Sequence, residues 1–248
     1  TARTGFNACV LGYNLTANTA VGYLTGMGFN YYDDKKNLIK NTTFGTYKVV
    51  KNSATDFRVQ YTVNPGRVWS DGTSITGVDL LLSHVVCSNA YSIAAGLGDP
   101  KGATKPSFEA SCYSGTYNDA VVGDPELSSD KMSVTIRYNK KLADWELYGP
   151  GPSPVHTLVL MAEVKKALGT VAENEAAKER FLADFQNKDT ADLKKIAAVW
   201  SKDYNISDVT ASTNPLLFVS NGGFLVKSAI AKQSVTLTLN IKYNSGPK

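Results

Sequence analysis

Apolar and polar residues alternate along Thr46–Lys51 and again along Asp56–Val63, with Asn52-Ser53 between them. A period of two places every second side chain on one face, so the two runs predict half-buried antiparallel strands joined by a turn. Lys131–Tyr138 alternates in the same way and predicts a third strand. Between them, Asn64-Pro65-Gly66 marks a turn, and Thr76-Gly77-Val78-Asp79 leads into Leu80-Leu81-Leu82 and Val85-Val86. A Thr followed three residues later by an acid, ahead of an apolar run, is a capping-box pattern that opens a helix, with Thr76 as its cap. Ala90 to Pro125 is rich in Gly, Ser, Pro and Asn with short β-prone pieces, which predicts a long ordered excursion.

Pro150, Pro152 and Pro154 interrupt regular structure and mark the best domain boundary. Past them the period changes to helical, over Thr157–Leu168, Ala172–Gln186 and Thr190–Trp200, with Asp189 placed to cap the last. The chain closes on two strands, Gly223–Lys227 and Ser234–Lys242, joined through Ala231-Lys232-Gln233. Strands, helices and strands again predict an α/β or α+β architecture, and no internal repeat points to a solenoid.

At 248 residues and 43% hydrophobic content the chain buries a substantial core. A formal charge of +4 raises the question of a nucleic-acid partner. The lysine pairs at 35–36, 140–141, 165–166 and 194–195 are spread along the chain rather than clustered, so no phosphate-tracking face is predicted. With 13 Tyr and only 19% charged residues, the balance fits a secreted β-rich protein. No run approaches the ~20 apolar residues of a membrane span, and Thr1–Thr4 shows no leader, so the sequence is expected to be mature or trimmed.

Cys9, Cys87 and Cys112 include no C-x-x-C pair, and with only His84 and His156 in the chain no structural metal site is expected. Cys87 and Cys112 flank a Gly- and Pro-bearing segment; either they form a disulfide, or all three cysteines are buried thiols. No G-x-S-x-G elbow and no glycine-rich phosphate cradle are present; Gly22, Gly26 and Gly28 lack that spacing. His84, among Leu82, Val85 and Val86, reads as a packed helix residue. His156, just after the prolines, reads as a position that fixes a hinge, and it would favour a secreted hydrolase if it met Ser153 or an acid in a deep pocket.

Tyr61-Thr-Val-Asn-Pro-Gly-Arg-Val-Trp-Ser-Asp-Gly-Thr-Ser-Ile-Thr-Gly-Val-Asp79 resembles the signature of the family 5 extracellular solute-binding proteins, which include oligopeptide- and dipeptide-binding proteins. Gly77 stands for the usual small residue and Ile75 for the usual Pro. Further pieces fall in the family's order: Phe6-Asn7, Pro154-Val155-His156, and Asn221-Gly222-Gly223-Phe224 leading into Ser234–Leu237. Leu142–Glu146 and Asp189–Ile196 resemble the actinobacterial branch in particular.

The resemblance implies a periplasmic-binding-protein-like type II lobe carrying an inserted β-rich subdomain, with the distal lobe absent. Residues 1–32 and 153–248 would form part of the first lobe and 33–152 the insert. It implies ligand contacts at Asn221 and Gly222, with Ser220 beside them and Tyr13 and Asn14 bordering the cleft. Backbone groups of Val219–Gly223 are expected to face a ligand main chain, and Trp69, Asp71 and Gly72 to serve as scaffold. The family's Tyr at the end of the Asn-Gly motif is Phe224 here. The implied role is capture of a peptide or other small solute for an ABC permease by a monomer outside the cytoplasm, lipid-anchored in its full form, with no cofactor and no catalysis. A secreted hydrolase and a β-rich cell-surface interaction module are the alternatives.

Overall fold

The computed structural model describes residues 4–247. A first helix, α1 (Thr16–Thr25), precedes a short hairpin of β1 (Asn30–Tyr32) and β2 (Leu38–Lys40). β3 (Gly45–Asn52) and β4 (Phe57–Val63) then pair antiparallel where alternation predicts them, with Tyr47 opposite Tyr61 and a bulge between Val49 and Lys51. β5 (Glu126–Leu127) and β6 (Ser133–Tyr138) complete a sheet in the order β3-β4-β6-β5. β4 is central, and its odd-numbered residues Phe57, Val59, Tyr61 and Val63 are buried. Their face meets an aromatic cluster: Phe29 lies 5.0 Å from Phe44 and 5.4 Å from Tyr61, centroid to centroid.

α2 (Val78–Cys87) begins where predicted, but only half of the expected box forms. The Asp79 carboxylate accepts the Thr76 N–H at 2.8 Å, while the Thr76 hydroxyl is buried without a partner. Asp79 has a stronger claim on it: Lys178 Nζ lies 2.8 Å from the same carboxylate, the two side chains 2% and 0% exposed. The segment after α2 differs from the β-prone reading. It folds into α3 (Asn89–Ala94), a 3-10 turn at Cys112–Ser114 and α4 (Thr116–Ala120), and its β pairing is confined to isolated bridges such as Val121 with Tyr138. Side chains, rather than ladders, satisfy its backbone: Ser88 accepts Tyr91 N–H and Asn118 accepts Asn89 N–H. Cys87 and Cys112 form a disulfide, and Cys9 is free and exposed.

Three helices follow the prolines: α5 (Val155–Ala162), α6 (Val171–Asn187) and α7 (Thr190–Ala198), the last running into a π-helical turn at Val199–Asp203. α5 stops six residues short of the predicted Leu168. Val164 adopts φ 63°, and Lys165 N–H reaches back to Leu160 C=O, a left-handed helix stop. Thr170 and Glu173 form a complete capping box on α6, and the Asp189 carboxylate accepts the N–H groups of Ala191 and Asp192 on α7. Asn174, Ala177, Lys178, Phe181, Leu182 and Phe185 form the buried face of α6 at 3.6-residue spacing. Its two polar members reach outward to hold the preceding loops.

β7 (Phe224–Ile230) and β8 (Ser234–Leu239) make a separate hairpin with a bulge between Val226 and Ser228. β8 ends at Leu239, short of the predicted Lys242, because Asn240 turns the chain: its Oδ1 accepts Lys242 N–H and its C=O accepts Tyr243 N–H. Among the described residues no helix is long and apolar enough to cross a membrane.

Candidate functional site

The Trp69–Gly72 loop is held by its own short bonds. Trp69 N–H donates to Thr73 C=O and Gly72 N–H to Trp69 C=O, both at 2.9 Å, with Gly72 at φ 96°, where a side chain would be strained. Asp71 accepts from Thr73 N–H at 3.0 Å, from Asn174 Nδ2 at 3.1 Å and from His156 Nε2 at 2.8 Å. Burial pushes the Asp71 carboxyl up, yet the hydrogen bond and charge of His156 together with Thr73 outweigh it and leave its pKa below the usual value. This pairing matches the distance that would favour a hydrolase, but not its setting. The His156 and Asp71 side chains are 0% and 3% exposed, and His156 Nδ1 is buried with no partner, so no nucleophile is engaged. The pair ties the loop to the start of α5.

Ser70 extends the loop's reach. Its N–H donates to Ser220 C=O at 2.9 Å and its hydroxyl accepts Ser220 N–H at 3.2 Å, fixing the segment that follows the 3-10 turn Pro215–Phe218. One residue on, the Asn221 amide clasps the end of α1, donating to Met27 C=O at 2.8 Å and accepting Met27 N–H at 3.1 Å. Gly222 N–H donates to Thr25 C=O at 2.8 Å, an approach that only glycine permits: a Cβ there would lie 2.3 Å from the Thr25 carbonyl carbon. Asn240 closes the other side through Gly222 C=O and Gly223 C=O, each at 2.9 Å.

This corrects the expectation that the whole Val219–Gly223 backbone is open. Ser220 and Gly222 spend their N–H and C=O groups inside the fold. Among the described residues, the N–H and C=O of Val219 and of Asn221 and the N–H of Gly223 are left without a hydrogen bond, and Val219 and Asn221 are both buried. The Asn221 side chain is a structural clasp, while its own backbone N–H and C=O make no hydrogen bond.

Asn221 stands between two depressions. One is a cavity of about 220 Å³ whose wall includes Phe6, Trp69, Trp200, Tyr204, Phe218 and Ser220, with Phe6 and Phe218 edge to face at 5.2 Å. The other, about 390 Å³, is bordered by Tyr23, Met27 and Tyr31. They share Gly22, Gly26, Pro152 and Asn221, which form a saddle between them. Gly22 has nothing within 4 Å of where a Cβ would stand, so α1 presents bare backbone to the space. No Asp, Glu, Lys or Arg is among the described residues lining either depression.

Of the residues singled out from sequence, Ser220 and Asn221 lie in this wall and Gly222 stands directly behind it. Tyr13 and Asn14 do not line either depression. They sit ahead of α1, where Tyr13 C=O accepts Asn18 Nδ2 and Asn14 accepts the Thr19 hydroxyl. Sequence reasoning missed Gly22 and Gly26, weighed there only as a phosphate cradle. Gly22 leaves the last turn of α1 bare, and Gly26 is the extended residue that ends the helix, its N–H donating to Gly22 C=O. Trp69, read as scaffold, also faces the cavity.

No family model matches the chain, and no curated protein does. Among solved structures, the periplasmic EDTA-binding protein EppA (orthorhombic form) matches at 19% identity and TM-score 0.63, covering 100% of this chain and 36% of its own. The oligopeptide-binding protein AppA from Bacillus subtilis, in complex with a nonapeptide, matches at 13% identity and TM-score 0.59, over 99% of this chain and 35% of its own. The oligopeptide binding protein from Thermus thermophilus, complexed with a pentapeptide, matches at 13% and 0.53, over 96% and 35%. The chain therefore spans about a third of the length of these structures. The shared feature is the fold: a mixed α/β arrangement corresponding to part of a type II periplasmic-binding-protein-like structure.

Proposed function

We propose that this chain is the ligand-gripping part of an extracytoplasmic solute-binding protein that captures peptides or related small solutes for an ABC permease. The observation that carries the reading is the saddle at Asn221. Asn221, a buried residue whose backbone N–H and C=O make no hydrogen bond, lines both uncharged depressions; turned outward, that pair would hold an extended main chain with a side group on each side. The fold it shares with EppA and AppA supports the same role.

In this reading residues 1–32 and 153–248 belong to the first lobe and 33–152 to an insert, with residues 1–3 and 248 outside the described part. A second lobe would close over the saddle and hinge closure would signal the permease. Tyr13 and Asn14 border the approach to α1, outside the described walls. The protein acts as a monomer with no cofactor or nucleic acid, lipid-anchored outside the cytoplasm, and its affinity to the actinobacterial branch belongs to the same proposal. Its work is binding, not bond making.

Isothermal calorimetry of the chain, and of any longer form that carries the second lobe, against a mixed di- to hexapeptide library tests this. Saturable heat, stronger in the longer form, is expected. Absence of binding in both, or cleavage of the peptides during the titration as read by mass spectrometry, would contradict the reading and return attention to the hydrolase.

A further inference from the structure

The depression bordered by Tyr23, Met27 and Tyr31 is the larger of the two beside Asn221, and its volume of about 390 Å³ falls within the range of ligand pockets, roughly 300–1,000 Å³. Four of the five polar side chains in its described wall are engaged by the fold. The Thr19 hydroxyl donates to Leu15 C=O at 3.1 Å, Asn30 donates to Glu146 C=O and accepts the Tyr47 hydroxyl, each at 2.8 Å, and the Asn221 amide holds Met27. The fourth is Tyr23, whose hydroxyl accepts Tyr32 N–H at 3.0 Å and donates to Tyr32 C=O at 3.2 Å. What the wall offers a ligand is therefore mainly apolar surface. Tyr23 is 55% exposed, yet its ring is anchored at both ends, by α1 at the backbone and by Tyr32 at the hydroxyl. An exposed ring held in this way loses little freedom when a ligand covers it. Met27 is clasped by Asn221 at its backbone, and its Cγ lies 3.1 Å from where a Cβ on Gly246 would stand, so glycine there leaves the thioether room. The flexible, polarisable Met side chain makes favourable contacts with aromatic rings.

We infer, resting on the reading of this region as a solute site, that this depression takes one uncharged aromatic side group of the ligand, with the Tyr23 ring as its fixed contact and Met27 as its adaptable one. An aromatic group gains most there because it covers the largest apolar area. A Lys or Glu side group gains nothing, since its charge meets no partner among the described wall residues and loses water on entry. The saddle would hold the main chain at Asn221, and this depression would read the side chain beside it.

The test uses the 248-residue chain and four tripeptides, Ala-Tyr-Ala, Ala-Ala-Ala, Ala-Lys-Ala and Ala-Glu-Ala, titrated by calorimetry. The tyrosine peptide is expected to bind about tenfold more tightly than the alanine peptide, and the lysine and glutamate peptides no more tightly than alanine. Gly22 has nothing within 4 Å of where a Cβ would stand, so Gly22→Leu puts a good helix former into α1 and a side chain into the open space; it should fold and bring the tyrosine peptide down to the alanine level. Tyr23→Ala should cut the tyrosine-over-alanine ratio to about threefold or less, while Tyr23→Phe keeps the ring and should keep most of the ratio. Equal binding of all four peptides overturns the inference while the solute-binding reading stands, and so does binding of the mixed library with all four tripeptides silent. A ratio unchanged in both Gly22→Leu and Tyr23→Ala overturns the role of this depression. Silence of the four tripeptides and of the mixed library overturns both the inference and the reading it rests on.

Discussion

Two antiparallel sheets in this molecule share one sequence pattern and differ in what covers them. In β4 every second residue is buried, and Phe57, Val59, Tyr61 and Val63 lie against an aromatic layer that includes Phe29 and Phe44. In the β7–β8 hairpin only Ala229 is buried, while Ile230 and Leu239 are exposed and Ile241, just past the hairpin, is 95% exposed. Alternation decides which face a side chain takes; burial needs a second layer on that face. A two-stranded ribbon with apolar residues facing water is marginal by itself, and such surface commonly marks an interface. The first sheet is finished by this chain. The hairpin is covered only in part: Val209 pairs with Ala229 and Val226 faces the cavity beside Phe218, while Phe224, Ile230 and Leu239 stay exposed.

Paired substitutions break the comparison if it is wrong. Phe57→Ala should cost about 3–5 kcal/mol, whereas Leu239→Ala should change stability by less than about 0.5 kcal/mol, both read from denaturant midpoints. Comparable losses at the two positions would show that the hairpin is packed after all. Lys178→Ala should cost about 3–5 kcal/mol, because it leaves Asp79 charged and buried without its partner. Amide exchange should then quicken across α2 and β4 and remain unchanged in β7–β8. Replacing Cys87 and Cys112 by serine reopens a loop of sequence separation 25 and should lower stability by ~3–4 kcal/mol.

The smallest effect is one of pH. His84 is buried, with Nδ1 against the Tyr117 hydroxyl at 2.8 Å and Nε2 3.4 Å from Asp124, which also pairs with Lys188. Burial holds its pKa below 6.5 against the pull of Asp124, so the folded state favours the neutral ring. The unfolded chain then binds the proton more readily. That stability is fully present above pH 6.5 and is lost as pH falls from there through the folded value. Unfolding midpoints between pH 7.5 and 5 should fall with acidity around the packed sheet, and His84→Gln should flatten the slope.

How far the sequence was readable follows the same division. β3, β4 and β6 were legible because a period of two kept over six or more residues suits a strand and no helix, and α6 because its apolar face keeps helical spacing for 17 residues. The short helices of 89–120 were not, since Gly, Ser and Asn there serve side-chain caps that propensity does not rank. At the site, Asn221 and Gly222 were legible only by resemblance. Their bonds to Met27 and Thr25 span nearly 200 positions and carry no local signal. The same holds for Asp71 with His156 and Asn174, where an Asp placed for a turn becomes the centre of a buried network.

The central claim is that ligand is held at the Asn221 saddle rather than at the polar Asp71–His156 pair or on the hairpin. Amide shifts in ¹⁵N-correlated NMR, followed during titration with the tripeptide Ala-Tyr-Ala, locate contact directly. The account predicts saturable shifts at the backbone N–H of Asn221 and Gly223, with β8 and Leu239 unmoved. Shifts centred on His156 or on Ile230 and Leu239, with Asn221 silent, would contradict it.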